Sequence, residues 1–180
     1  MEPTRKAVPT PPLRRHAALQ PLSREHMSGL IQARSLLRAS RDGPGAGARA
    51  VEAFMRVWRA EVSEHFDDEE RLLIPLISDA ASRDRLLREH AEIRAVVEEC
   101  GNDPVGAGRQ PALLARLGSL LHDHIRWEER VLFEAIQRDH PQALTSLLGE
   151  AVEIERVRPG ARRRRAIDDG GGSGVEGRTP

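Results

Sequence analysis

One pairing occurs twice in this chain and restricts its fold more than any other feature. His65-Phe-Asp-Asp-Glu69 and His124-Ile-Arg-Trp-Glu128 share the spacing His-x-x-x-Glu, and each glutamate opens an acidic-then-apolar run, EERLLIPL and EERVLFEA. Side chains four apart on a helix are neighbours, with Cβ atoms roughly 5–6 Å apart, so each pair can reach one metal ion. Both copies sit on apolar stripes of helical period. The first is Phe54, Trp58, Val62, His65, Glu69, Leu72 and Leu76; the second is Leu117, Leu121, His124, Glu128, Val131 and Ala135. Single histidines occupy two further stripes: Leu22, His26, Leu30, Ala33 and Leu37, and Leu86, Leu87, His90, Ile93 and Val97. A glutamate on an inward face is costly without a partner. The chain must therefore fold so that four helices present polar groups to a common interior layer.

The helices follow from local signals. Ser23 is a candidate N-cap for a first helix over residues 23–40, and DGPGAGA at 42–48 is expected to be a loop. A second helix is predicted over 49–73, broken by Pro75. Ser82 is the candidate cap of a third, over 82–100; GNDPVGAGRQ is the next loop, and Pro111 fits the first turn of a fourth, over 111–138. A short fifth helix is expected over 141–155. No strand signal occurs. The predicted fold is all-α, an up-down-up-down antiparallel four-helix bundle with a short C-terminal helix. His26 and His65 each lie about twenty residues from the first loop, and His90 and His124 roughly a dozen from the second, so the antiparallel hairpins bring all four nearly level. Glu69 and Glu128 are displaced in the same direction, by about one turn.

Charge divides the chain. Residues 21–155 hold 17 Arg against 24 Asp and Glu, while both ends are basic. Residues 1–20 read as a disordered basic arm, 21–155 as the bundle, and 156–180 as a disordered Arg- and Gly-rich tail. Deletion of 156–180 is then expected to leave metal content unchanged. The run at 162–165 reads as a solvated tail, so no nucleic-acid partner is expected. A single cysteine, Cys100, excludes an internal disulfide and suits a reducing compartment. No apolar run approaches a membrane span and no secretory signal is evident, so the expectation is a cytoplasmic protein without a membrane partner.

Structural His–Glu and Arg–Glu hydrogen bonds, with Arg94 as a partner, would account for any one inward histidine. Six inward residues at one height, His26, His65, Glu69, His90, His124 and Glu128, favour metal binding instead. Cysteine-rich structural zinc is excluded by composition, and mixed imidazole and carboxylate suits iron, manganese or catalytic zinc. With Glu69 and Glu128 as bridges, His26 and His65 would serve one ion and His90 and His124 the other, leaving positions open to small molecules. Glu70 and Glu129 are secondary candidates that point about 100° away from the stripes. Trp58 and Trp127 fall near the ligand level, where core packing is their expected role. The lack of tyrosine excludes a tyrosyl radical.

The segments PLSREHMSGL, HFDDEERLLIPLI, LLREHAEIRAVV and LHDHIRWEERVLFEAI resemble the four ligand segments of the hemerythrin-like HHE cation-binding domain, over residues 21–140. The resemblance implies an up-down-up-down bundle holding two iron ions as a non-haem di-iron centre, with zinc or manganese ranking behind iron. It also implies a small-molecule partner: O2 or a related oxidant, bound for sensing, storage or protection. Alternatives are a redox enzyme reducing peroxide or nitric oxide at the same site, and a regulatory or structural metal-binding bundle. Oxygen-carrying hemerythrins place a second histidine where this chain has Arg94, and space the last histidine and carboxylate five apart, which here would select Glu129. Those departures argue against simple reversible oxygen carriage.

Overall fold

The computed structural model describes residues 14–158. All regular structure among them is helical. After a 3-10 turn at Ala17–Leu19, the elements are α1 (Gln20–Asp42), α2 (Pro44–Val57), α3 (Ser63–Leu73), α4 (Ala80–Asn102), α5 (Pro104–Ala107), α6 (Pro111–Trp127), α7 (Phe133–Asp139), α8 (Pro141–Ser146) and α9 (Leu148–Val157). A π-helical turn, Trp58–Val62, joins α2 to α3, and a second, Glu128–Leu132, joins α6 to α7. These joined pairs and the single helices α1 and α4 make four long rods.

Helix ends differ from expectation for local reasons. Gly43 alone leaves the helical path between α1 and α2, at φ 92°, a conformation that glycine adopts without strain. Pro44 then occupies the first turn of α2, so the expected loop at 42–48 shrinks to one residue. The glycines that suggested a loop serve close packing instead: a Cβ on Gly47 would collide with the Gly108 carbonyl beside α5. α4 is capped by Asp79, not Ser82; the Asp79 carboxylate accepts from the backbone N–H groups of Ala81 and Ser82. The fifth helix divides at Leu147 into α8 and α9.

The π-turns change the stripes. Their i→i+5 closure (Phe133 N–H to the Glu128 carbonyl in the second) fits an extra residue into one turn. Beyond Glu128 the inward face therefore moves on by one position. Val131, expected inside, is 51% exposed, and Leu132, Phe133 and Ile136 are buried. Leu87 is likewise outside, and Leu36 replaces Leu37 as the fully buried residue of α1.

Two apolar clusters form the core. One contains Leu30, Val62, Phe66, Ile93, Leu121 and Ile125. The other contains Leu22, Leu72, Leu86, Trp127, Leu132 and Phe133. Every rod passes from one cluster to the other, and the inward histidines and glutamates lie at each crossing: His26 between Leu22 and Leu30, His90 between Leu86 and Ile93. A polar layer thus spans the middle of an apolar bundle.

The packed body reaches past both expected ends. Within the stretch read as an arm, Ala18 and Leu19 are buried and Arg15 contacts the last long rod. At the other end Arg158 is only 2% exposed. The rest of both expected tails, 1–13 and 159–180, lies outside the described residues.

Candidate metal centre

The structure brings together all six sequence-predicted site residues, each buried. Glu69 stands at the middle. Its Oε1 lies 3.2 Å from His26 Nε2 and 3.1 Å from His65 Nε2, and its Oε2 lies 3.4 Å from His90 Nε2. Glu128 Oε2 is 3.1 Å from His26 Nε2 and 3.3 Å from His124 Nε2. The Nε2 atoms of His90 and His124 are 3.1 Å apart. The inward atoms fall into two groups, His26, His65 and Glu69, and Glu69, His90, His124 and Glu128, with the atoms of each group within 4.8 Å of one another.

Electrostatics explain how such a layer survives burial. Desolvation opposes charge on His65, but Glu69 and Glu25 outweigh it and raise its pKa to about 9, with His26 pulling the other way. Burial works against the His26 cation as well, and Glu128, Glu129 and Glu69 still lift its pKa well above the usual imidazole range. Burial would raise the Glu69 carboxyl; His65, His26 and His90 hold it well below its usual value. Imidazolium and carboxylate therefore compensate each other when protons occupy the layer. The compensation is incomplete. His65 Nε2, Glu69 Oε2 and both carboxylate oxygens of Glu128 are buried with no hydrogen-bond partner. Orphaned lone pairs converging on imidazole nitrogens are a donor set for cations, and mixed nitrogen and carboxylate oxygen is the set that iron, manganese and catalytic zinc accept.

The outer nitrogen of each histidine is also held. His65 Nδ1 donates to Glu25 at 3.0 Å, His90 Nδ1 to Glu70 at 2.8 Å, His124 Nδ1 to Glu89 at 3.0 Å and His26 Nδ1 to Glu129 at 2.6 Å. A carboxylate on Nδ1 fixes the tautomer and turns Nε2 inward, the usual support of a metal-binding histidine. The four contacts run in order round the bundle: each rod supplies the carboxylate for the histidine of the next, and the last returns to the first. Glu70 and Glu129, weighed from the sequence as alternative ligands, occupy this outer ring. Arg94, in the position of a further histidine, binds Glu70 at 2.6 Å and Asp67 at 2.9 Å.

A family model of the hemerythrin HHE cation binding domain matches residues 17–136. The chain belongs to that family. Searches of curated proteins and of solved structures returned no match. All six inward residues, and both candidate ligand groups they form, lie within the matched span.

Sequence reasoning missed Glu25, Glu61 and Glu89. A signal existed for two of them: Arg-Glu-His occurs at both 24–26 and 88–90. A carboxylate adjacent to an inward histidine points about 100° away from it, which on a packed helix aims it at the neighbouring helix. Glu61 lies in the first π-turn and helps line a small cavity beside His26 and His65, with room for about one water. Gly29, Val62, Leu121 and Ile125 form its apolar wall. A methyl on Gly29 would stand 2.6 Å from Ile125 Cδ1, so glycine lets α1 and α6 approach while the cavity persists. The tryptophans pack as expected: Trp58 meets Phe66 edge-on, and Trp127 lies under the Arg85 guanidinium. His122 binds Asp123 at the surface, outside the site.

Proposed function

We propose that the chain is a non-haem di-iron protein that binds O2 or a related small oxidant, for sensing, storage or protection. In this reading the four rods form an up-down-up-down antiparallel bundle. The alternating order in which successive rods cross the two apolar clusters supports that topology. His26 and His65 hold one iron, His90 and His124 the other, and Glu69 and Glu128 lie between them. When bound, the iron pair supplies redox change and coordination positions open to a small ligand. The protein supplies the rest. Glu25, Glu70, Glu89 and Glu129 orient the imidazoles, the apolar clusters exclude bulk water, and the cavity beside His26 has room for about one water-sized molecule.

The convergence of four imidazole Nε2 atoms on the Glu69 and Glu128 carboxylates carries this reading: the groups touch one another within 3.1–3.4 Å, yet His65 Nε2, Glu69 Oε2 and both Glu128 oxygens complete no well-formed hydrogen bond. Protein purified without added metal, or reconstituted anaerobically with Fe(II), is expected to hold about two irons per chain. Its visible absorption should change on adding O2, azide or peroxide. His65→Ala and Glu128→Ala should each lose at least one iron and that absorption. Reconstituted wild-type protein without iron would exclude the proposal.

One observation favours a second reading, reductive turnover of peroxide or nitric oxide. Glu61 Oε2 is buried without a partner beside the same cavity. A carboxylate there stands where it could relay a proton to a small ligand, and peroxide reduction to two waters consumes two protons and two electrons from an external reductant. Glu61→Gln should then slow turnover at least tenfold while azide affinity stays within about twofold; equal rates in the two proteins would leave ligand binding as the better account.

A further inference from the structure

Each outer carboxylate is itself anchored by an arginine; two of the arginines come from α4 and one from each flank of the bundle. Glu70 is held by Arg94 and Glu89 by Arg85, each at 2.6 Å, both arginines on α4. Glu129 is held at 2.6 Å by Arg15, and Glu25 at 2.7 Å by Arg158. Arg15 and Arg158 lie outside residues 17–136, the span matched by the family model. Their side chains are 7% and 3% exposed, so neither contact is a loose surface pair. Arg158 also reaches the Glu64 carbonyl at 3.2 Å and the Asp68 carboxylate. Arg15 donates to the Glu129 carbonyl at 2.7 Å, and its guanidinium lies 5.0 Å from the ring of Phe133, which stacks on His26.

The two arginines converge on one half of the layer. Arg158 acts through Glu25 on His65, and Arg15 through Glu129 on His26. The arginines behind the His90 and His124 half both come from α4. We propose that Arg15 and Arg158 are positioning residues for the His26/His65 metal position, so that segments flanking the family domain determine the hold on one ion of the pair. This rests on the metal-pair reading above. Without Arg158, the Glu25 carboxylate loses the donor that fixes its rotamer, and the His65 ring loses the contact that aims Nε2 at Glu69. Loss of such a support typically weakens metal binding about 10–100-fold.

The test uses the full chain loaded anaerobically with Fe(II), with release to a chelator followed by absorbance. Arg158→Gln is expected to release one ion about 10–100-fold faster than wild type and the other at the wild-type rate. Arg15→Gln should do the same, and the two substitutions together should still leave one tightly held ion. Arg158→Gln combined with Arg85→Gln should leave none. Arg138→Gln, which alters a surface pair with Asp139, should change nothing. A merely structural Arg158 would lower thermal stability and speed both ions equally; that pattern, or wild-type release of both ions, overturns the proposal. Should Arg158→Gln fail to fold, Arg15→Gln carries the same expectation through His26. A metal-independent measurement separates this proposal from the di-iron reading. The Nδ1 proton of His65 should be protected from exchange in metal-free wild type and exposed in Arg158→Gln. Protection lost without any metal binding in wild type would retire the di-iron reading and keep the arginine's role; protection unchanged would retire the role.

Discussion

Each inward histidine divides its two nitrogens between centre and rim, so the layer has to accommodate either protons or cations on Nε2. That competition sets a pH dependence. In metal-free protein the folded-state pKa of His65 is about 9, above the unfolded value near ~6.5. A raised imidazole pKa stabilises the fold fully below the unfolded value, and the contribution is lost as pH rises through the folded one. The groups facing His65 are Glu69, Glu25 and the opposing His26. The melting temperature of metal-free protein is therefore expected to fall between about pH 6.5 and 9.5, while apparent metal affinity rises over the same interval as the protons leave. A melting temperature flat over that range would show that the layer is not held by imidazolium. The inner six residues were legible in the sequence because both their spacing and their stripe are helical. The outer four were half legible: the sequence displays an acid beside each inward residue, but which helix lies opposite is decided only by packing.

At the scale of the element, the sequence shows where helices run better than how they end or turn. Glycine-rich DGPGAGA reads as a loop by composition, yet only Gly43 is needed for the turn, because Gly47 is there to let α2 meet Gly108. The π-turns left no compositional mark. A periodicity of 3.6 therefore carried Val131 inward when the wide turn carries it out. Capping gives a measurable contrast. Asp79→Ala is expected to remove the cap and destabilise the helix start. For a chain of this size that lowers the melting temperature by a few degrees. Ser82→Ala should cost clearly less, because Ser82 donates to the Asp79 carboxylate and does not itself cap the helix. Equal losses would return the cap to Ser82. Both variants should keep their full metal content, since the cap lies away from the polar layer.

Over the whole molecule, the acidic body and basic flanks are parts of one electrostatic arrangement. Four outer carboxylates need four cations. α4 provides two, and the stretches read from composition as solvated ends provide Arg15 and Arg158. Composition could not reveal this, because an arginine beside proline and glycine looks the same whether it is solvated or buried. The expectation that residues 156–180 are dispensable for metal is revised accordingly: removing only 159–180 should preserve both ions, and cutting before Arg158 should weaken one. Metal should also stabilise the entire fold, since the four rods meet at the ligands. At free metal about a thousandfold above Kd, linkage adds about 4 kcal/mol per site. Titrating metal into metal-free protein should raise the melting temperature with concentration; a constant value would mean that the unfolded chain binds as well as the folded one.

The closed ring of rim carboxylates has a consequence for how the protein is made. Glu129 returns to His26, and Arg158 returns to Glu25, so the first rod is completed by residues made more than a hundred positions later. A chain emerging from the ribosome displays His26, His65 and His90 long before Glu128, Glu129 and Arg158 are synthesised. A cation met at that stage would find the set without Glu128 and without the Glu129 contact to His26. The support of the His26 and His65 position is complete only once residue 158 has been made.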